Sequence, residues 1–169
     1  MKKYLLFFLA VITAYTATAQ DFSNKGKEFW LCFPNHIPSG ATLGQMTIWI
    51  TSDLASTGTV SITNGSLAVT FSVAANGIVP INIPYAFAHI SNAESGMIIQ
   101  KSIKVKVDPG QPPVVAYVQQ YGNARSAATL LLPTNVLGKK YQAVSYTQVA
   151  TSGGGQNARS QFQIIATQP

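Results

Sequence analysis

Side chains that could exchange protons, attack a substrate or bind a metal are few and widely spaced in this sequence. The acidic residues are Asp21, Glu28, Asp53, Glu94 and Asp108, and the histidines are His36 and His89. No two carboxylates share a motif that would set the acid–base pair of a glycosidase, and the histidines lack the short spacing of zinc ligands. We therefore expect no catalysis, no metal site and no cofactor. Because distant residues can converge in a fold, a hydrolase built on His36 or His89 and a carboxylate is kept as an alternative.

The strongest candidate for a binding residue is Trp49. It lies in the stretch MTIWITS, where aliphatic side chains alternate with Thr, Trp and Thr. Strand alternation points Trp49 away from the aliphatic side chains. Trp49 is then either covered by a loop or a second sheet, as aromatic residues in cores are, or it is an exposed platform for a sugar ring or a partner side chain. Only the second arrangement would make it a ligand-binding residue.

A four-residue repeat, Asn-Ala-Arg-Ser, contains Arg125 and Arg159. Each copy precedes a predicted strand. If another strand runs antiparallel between those two, both repeats lie at one end of a sheet, roughly 10 Å apart. Two guanidinium groups there could bind an acidic ligand, because they suit carboxylates and sulfates. Ordinary turn chemistry explains Asn and Ser in the repeat equally well.

Short β-type segments must position these residues. Runs of Val, Ile, Thr, Phe and Tyr alternate with Gly, Pro, Asn and Ser, and helical periodicity is nearly absent after residue 20. Strands are predicted at residues 28–33, 46–51, 59–63, 67–73, 78–83, 97–107, 114–120, 127–132, 141–147 and 162–166. Their number and spacing predict an all-β antiparallel β-sandwich, immunoglobulin-like or jelly-roll-like.

Three of these segments carry more specific predictions. Asn64-Gly65 tolerates the positive φ of a type I′ turn and predicts a hairpin. Strand 28–33 is apolar on both faces, which predicts a central strand covered on both sides. Residues 103–107 alternate Ile or Val with Lys, which predicts a half-buried strand with a solvated lysine face.

The connection after residue 132 predicts a structured corner. Pro133 cannot donate to a ladder and ends its strand. Thr134 or Asn135 caps a single helical turn, the apolar residues 136 and 137 are buried, and Gly138 leaves the turn in the left-handed conformation. These apolar residues would seal one end of the sandwich.

The first nineteen residues have the organisation of a secretory signal peptide. Lys2 and Lys3 precede an apolar segment at 4–14, and small residues follow at 17–19. The apolar segment is too short for a membrane span, so we predict cleavage after Ala19 and no span thereafter. We expect the protein to be extracellular or at the cell surface, with the periplasm as the alternative.

Charge and cysteine content exclude other classes. Removing two of the eleven basic residues with the signal lowers the formal net charge from +6 to +4. No Lys/Arg run with interleaved aromatics is present, so we expect no nucleic-acid partner. Cys32 is the single cysteine, which excludes an intramolecular disulfide. Its apolar neighbours predict a buried, inert thiol.

The segment LLLPTNVLGKKYQAVSY closely resembles a signature of the IgGFc-binding protein N-terminal domain family. In that signature a Leu-Pro-Thr turn leads through Leu-Gly to a Tyr and a Ser-Tyr strand. The matching residues are Leu132, Pro133, Thr134, Leu137, Gly138, Tyr141, Ser145 and Tyr146. The segments GKEFWLCFPNH and PPVVAYVQQYG match in order and spacing, so the resemblance spans almost the whole chain after the signal.

This resemblance implies an exported all-β domain, here residues 20–169, of a kind often found in large bacterial surface proteins. The family's pattern continues past QIIATQP into another strand, which predicts a domain truncated at its C-terminus. The family is named for an animal mucus protein, and no residue here indicates antibody binding. We therefore expect a surface binding or adhesion module for a glycan or protein ligand, without catalysis. A structural spacer within a larger surface protein is the first alternative.

Overall fold

Eight β-strands dominate the described part of the chain. The structure is a computed structural model that describes residues 23–35, 44–122, 125–144 and 161–167. The strands are β1 (Glu28–Leu31), β2 (Gln45–Ser52), β3 (Ser56–Ile62), β4 (Ala68–Val73), β5 (Gly77–Ile83), β6 (Ile103–Val107), β7 (Val115–Gly122) and β8 (Arg125–Leu130). One short helix, α1 (Tyr85–Ala88), and two 3₁₀ turns, Asn92–Glu94 and Thr134–Val136, complete the regular structure of these residues.

The strands form two antiparallel sheets of four strands each. The first sheet has the order β1-β6-β3-β4, and the second has the order β5-β2-β7-β8. Alternate residues point inward in strands such as β1, β3 and β6, as the two-residue period of a pleated strand requires. Phe29, Val60 and Val105 of the first sheet and Ile48 and Ile50 of the second are fully buried in a single core. The predicted all-β sandwich is confirmed.

The β3–β4 connection is a hairpin, as predicted, but its turn is of another type. Gly65 has a φ of +76°, whereas Asn64 does not have positive φ. The Gly65 amide donates to the Ile62 carbonyl at 2.9 Å, and the Ile62 amide donates to Leu67. A type I′ turn needs positive φ at both central residues, so the loop is instead a type I turn followed by a left-handed glycine.

β1 lies at an edge of the first sheet, so the prediction of a central strand covered on both sides is wrong. β1 pairs with β6 alone. Its outward Trp30 is half-buried because Lys104 of β6 lies over the indole ring, 4.9 Å from its centroid. The lysine stem and ammonium cover the ring in place of a third layer. The predicted lysine face of β6 is confirmed: Ile103 and Val105 are buried and Lys104 points outward.

Several predicted strands are shortened or missing, and β1 ends at Leu31 instead of at residue 33. Of the predicted strand 97–107, only residues 103–107 are extended in a sheet. Residues 141–144 and 161–166 form no strand, and residues 145–147 lie outside the described residues. The segment after residue 160 instead contacts the end of β1 through side chains, since Gln161 Nε2 donates to the Asn35 carbonyl at 2.9 Å.

The corner after Leu132 is anchored by Pro133. Pro133 is fully buried, and it lies so close to Gly26 that a Cβ built on Gly26 would lie 2.1 Å from the Pro133 Cβ. Gly26 in turn exchanges two backbone hydrogen bonds of 2.9 Å with Val114. Pro133 therefore fits here because residue 26 is a glycine and has no side chain. Together with the buried Leu131, Pro133 closes this end of the core.

The rest of the corner differs from the prediction. The 3₁₀ turn begins after Pro133, and neither Thr134 nor Asn135 caps it with a side chain. Leu137 is 39% exposed rather than buried, and Gly138 does not have a left-handed φ. Tyr141 is 73% exposed. Tyr146 lies outside the described residues, as does the predicted signal peptide, residues 1–19. Within the described ranges, the chain contains no helix long and apolar enough to cross a membrane.

Candidate functional site

The outward side of the second sheet carries an aromatic and amide surface, which we call the Trp49 face. Its first row crosses all four strands and consists of Pro80, Trp49, Tyr117 and Leu130, which are register partners. Its second row consists of Asn82, Thr47, Gln119 and Ala128. Tyr121 lies beyond the second row on β7, opposite Gln45. Each row therefore draws one side chain from each strand of the sheet.

Trp49 is half-buried, with its polar atom already bonded. Its Nε1 donates to Oε1 of Gln119 at 3.2 Å. Because Trp49 pairs with Tyr117, Gln119 is its diagonal neighbour on β7, about 7–8 Å away between Cα atoms. The indole therefore extends diagonally across the sheet surface. A ligand would therefore contact the face of the indole ring, because the N–H group is already bonded to Gln119.

The tyrosines of β7 are the most exposed aromatic residues of the Trp49 face. Tyr117 is 40% exposed and Tyr121 is 48% exposed. Tyr117 lies between Trp49 and Leu130 in register, and Leu130 is also exposed. Aromatic residues outside a core, next to one another on a rigid sheet, can stack on a ligand at little cost in side-chain entropy.

Two side-chain amides border the aromatic row. Thr47 Oγ1 donates to Oδ1 of Asn82 at 3.0 Å, and the Gln119 amide oxygen accepts the bond from Trp49. Both amide oxygens are thus used within the sheet. An amide keeps two N–H donors on its nitrogen, so Asn82 and Gln119 can each donate outward, at positions fixed by their bonded oxygens.

The Trp49 face carries no charged residue among the side chains that the structure describes in its rows. The outward side of the first sheet is different. There Lys104 Nζ lies 2.9 Å from Oε2 of Glu28, and Trp30 Nε1 donates to the same carboxylate at 2.9 Å. Burial opposes ionisation, but these bonds outweigh it and lower the pKa of Glu28. Of the two tryptophans, Trp30 is thus held in an ion-pair cluster and Trp49 in a neutral surface.

Of the two repeat arginines, the structure describes the backbone of Arg125 alone. Arg125 begins β8, where its backbone pairs with Gly122 of β7, and Arg159 lies outside the described residues. The strand expected between the two repeats is absent at 141–144, and the segment that follows Arg159 contacts Asn35 beyond β1 rather than β8. The joint acidic site of Arg125 and Arg159 stays a prediction.

His89 is bound by neutral groups. Its ring stacks on Tyr85 at a centroid separation of 4.1 Å, and its Nε2 lies 3.2 Å from Oδ1 of Asn35. Burial and the Lys101 charge lower the pKa of His89, against the opposing effect of Glu94. In the described part of the chain, no carboxylate is hydrogen-bonded to this ring. His36 lies outside the described residues.

Glu94 is held by its own turn. Its Oε2 accepts bonds from the amide and hydroxyl of Ser91 at 2.8 and 3.0 Å, and its Oε1 lies 2.6 Å from Lys101 Nζ. The bonds from Lys101 and Ser91 lower the pKa of Glu94 to about 2. Glu94 is thus an ionised capping residue with its lone pairs occupied, which suits stabilisation of the turn rather than proton transfer.

Cys32 is half-buried, and burial raises its pKa to about 11. Its Sγ lies 2.6 Å from the Gln163 side-chain oxygen. A thiol of this kind is a poor nucleophile, since the thiolate is the reactive form. Across residues 23–35, 44–122, 125–144 and 161–167, no group of three His, Cys, Asp or Glu side chains is placed to hold a metal ion.

Two concavities lie near the ends of the sandwich, and the first of them borders the Trp49 face at Asn82. One, of about 280 Å³, lies where β2 begins and β5 ends and includes Asn82 and Gln45. The other, of about 360 Å³, lies between residues 25–28, which lead into β1, and the 3₁₀ turn at Thr134. The Trp49 face itself is open.

Sequence reasoning found Trp49 but missed its partners. Tyr117, Gln119 and Tyr121 alternate along PPVVAYVQQYG, so their shared face was readable from the period of two. Asn82 and Pro80 could not be found in the same way. They join the surface only because β5 pairs with β2 in one particular register.

Comparisons with known proteins leave the family unassigned. The sequence matches no family model, and no curated protein matches it. Among solved structures, the crystal structure of Thermotoga maritima 1070 is similar over 67% of this chain and 98% of that chain, with 15% identity and a TM-score of 0.35. The resemblance to the IgGFc-binding protein N-terminal domain family therefore stays a prediction.

Proposed function

We propose that this protein is an exported cell-surface binding or adhesion module whose glycan or protein ligand contacts the Trp49 face, and that it has no catalytic activity. The observation that carries the proposal is the row Pro80–Trp49–Tyr117–Leu130. It sets neighbouring aromatic rings on the open side of a sheet instead of in the core. Exposed aromatic residues on a rigid frame, with a few polar groups beside them, are what a binding surface needs.

Export is the second part of the proposal. It is supported by the signal-like residues 1–19. The resemblance to the IgGFc-binding protein N-terminal domain family also supports a location at the cell surface. N-terminal sequencing of the secreted protein should give Gln20 as its first residue.

A binding screen with matched tryptophan substitutions tests the proposal. The full chain and its Trp49→Ala, Tyr117→Ala and Trp30→Ala variants would be applied to a glycan array and to a panel of purified extracellular proteins. We expect at least one ligand whose binding falls about tenfold or more in the first two variants, as for a hot-spot residue, and is retained in Trp30→Ala. Trp30 is the control because it occupies the charged outer side of the other sheet. Equal ligand binding by all four proteins would show that the ligand does not bind to the Trp49 face.

A structural spacer is the second candidate. It is favoured by the shallow, end-placed concavities and by the ion-paired outer side of the first sheet. If the protein is a spacer, it should bind nothing on the glycan array or in the panel of extracellular proteins. A hydrolase is the least supported class, because the ring of His89 is bonded to Asn35 and stacked on Tyr85.

A further inference from the structure

The Trp49 face sets four apolar or aromatic residues, one from each strand, in one register row. Neighbouring strands lie about 4.8 Å apart, so the four residues from Pro80 to Leu130 span about 14 Å across the sheet. Trp49 and Tyr117 are adjacent in this row, one strand spacing apart. That spacing is close to the length of one pyranose unit, and the full row matches a short oligosaccharide.

The bordering amides lie where they can reach sugar hydroxyls. The second row is displaced from the aromatic row by two residues along the strands, about 7 Å. Asn82 and Gln119 occupy it on β5 and β7, on the two sides of Thr47. Their side-chain oxygens are bonded to Thr47 and Trp49, so their side-chain N–H groups remain to donate to a ligand. Donors of this kind pair with hydroxyl oxygens beside a stacked ring.

The neutral side chains of the two described rows disfavour acidic ligands. The described side chains of both rows are aromatic, aliphatic, amide or hydroxyl. A uronate or sulfate placed over them would lose hydration without meeting a counter-charge, which is costly. A neutral ligand loses only hydroxyl hydration, which the amides can replace.

The open shape of the surface favours the middle of a chain over its end. A terminal sugar is usually enclosed by a pocket, whereas Trp49, Tyr117 and Leu130 line neither of the two concavities. Among the described strands, β5 and β8, which carry Pro80 and Leu130, are the two edges of this sheet. An extended chain can therefore enter and leave across both edges.

We propose that the ligand of the Trp49 face is a neutral, β-linked polysaccharide bound along the row Pro80–Trp49–Tyr117–Leu130. Equatorial linkages make such a chain a flat ribbon with apolar C–H groups on both faces of each ring and hydroxyls at its edges. The ring faces stack on Trp49 and Tyr117, and the edge hydroxyls accept from Asn82 and Gln119. This inference rests on the proposed binding function and narrows its ligand class.

Affinity electrophoresis tests it with defined polysaccharides. The full chain is run through native gels containing hydroxyethyl cellulose (neutral, β-linked), soluble starch (neutral, α-linked) or polygalacturonate (acidic). We expect retardation by hydroxyethyl cellulose only. Tyr117→Ala and Trp49→Ala should raise the apparent Kd about tenfold or more, Asn82→Ala should raise it several-fold, and Trp30→Ala should leave it unchanged. Thermal unfolding of each variant shows whether it is folded, and Tyr117→Ala is the decisive one because that side chain is exposed.

The outcomes separate this inference from the broader function. Retardation by starch or polygalacturonate alone, or retardation by hydroxyethyl cellulose that Tyr117→Ala does not reduce, overturns the polysaccharide proposal. If no polysaccharide retards the chain while a protein ligand is lost on Trp49→Ala, the binding function stands and this inference falls. If no ligand of any kind depends on Trp49 or Tyr117, both fall together.

Discussion

Trp49 Nε1 donates a hydrogen bond to the side-chain oxygen of Gln119, 3.2 Å away on the neighbouring strand. This single bond orients both residues of the Trp49 face. It lays the indole diagonally across the sheet, and it fixes the Gln119 amide with its nitrogen free to donate. The two residues should therefore behave as a coupled pair in stability as well as in binding.

A double-mutant cycle measures that coupling. Trp49→Phe removes the donor, Gln119→Met removes the acceptor, and the double variant removes both. We expect a coupling energy of about 0.5–1.5 kcal/mol from urea unfolding, the usual net value of one hydrogen bond. A coupling energy indistinguishable from zero would show that the bond does not hold the indole in place.

Substitution by alanine should destabilise the protein at Gly26 and have little effect at Gly138. In Gly26→Ala the new Cβ would lie 2.1 Å from the Pro133 Cβ, so we expect a loss of about 1–3 kcal/mol in the free energy of unfolding from overpacking. In Gly138→Ala the nearest atom lies 3.8 Å away and φ is not left-handed, so stability should change by less than about 0.5 kcal/mol. Urea unfolding of the two variants decides this, and a large loss in Gly138→Ala would restore the left-handed corner predicted from the sequence.

Glu94 should make stability depend on acid pH. Its pKa is lowered to about 2 in the folded protein from an ordinary value near 4.5. The unfolded chain therefore takes up this proton first as the pH falls, so the stabilisation is complete above about pH 4.5 and is lost on approach to pH 2.

Glu94→Gln tests this dependence. We expect it to be less stable than the parent at pH 7, by under about 1 kcal/mol because solvent screens a pair near the surface, and equal to the parent near pH 2. Lys101→Met should show the same trend, since Lys101 is the charged partner. Parallel stability curves for the parent and Glu94→Gln across that range would contradict the assignment.

Cys32 should be slow to alkylate in the folded protein. Burial raises its pKa from 9.0 to about 11, which lowers the thiolate fraction at pH 8 about a hundredfold relative to the unfolded chain. Iodoacetamide labelling followed by mass spectrometry should therefore be slow in buffer and rapid in urea. Equal rates in the two conditions would show that the thiol is neither buried nor shifted.

The strand content was largely predictable because the signal for a strand is local. The alternation in MTIWITS places β2 within one residue at each end, and the Ile/Lys alternation gives the inward and outward sides of β6, although the predicted strand began six residues too early. Predictions failed where a short apolar segment had no partner to pair with. Residues 141–144 and 161–166 have strand-like composition and form no strand, because a strand exists only when another strand satisfies its amides and carbonyls.

The corner at Pro133 failed in a different way. Pro133 ends its strand as its chemistry requires, but Gly138 has no left-handed φ and Leu137 stays exposed. Composition showed that a turn must occur there. It could not show that Pro133 would pack against Gly26, which is more than a hundred residues away in the sequence.

By itself, then, the sequence determined an all-β fold of stacked sheets and the alternation of inward and outward side chains along strands such as β2 and β6. Those properties follow from the two-residue period and from side-chain polarity, which act within a few residues of the chain. Only the tertiary structure decided that β1 is an edge strand, and that Pro80, Trp49, Tyr117 and Leu130 share one row. Strand order and register depend on which distant surfaces are buried together, and one residue of slip would turn the Trp49 face into the core.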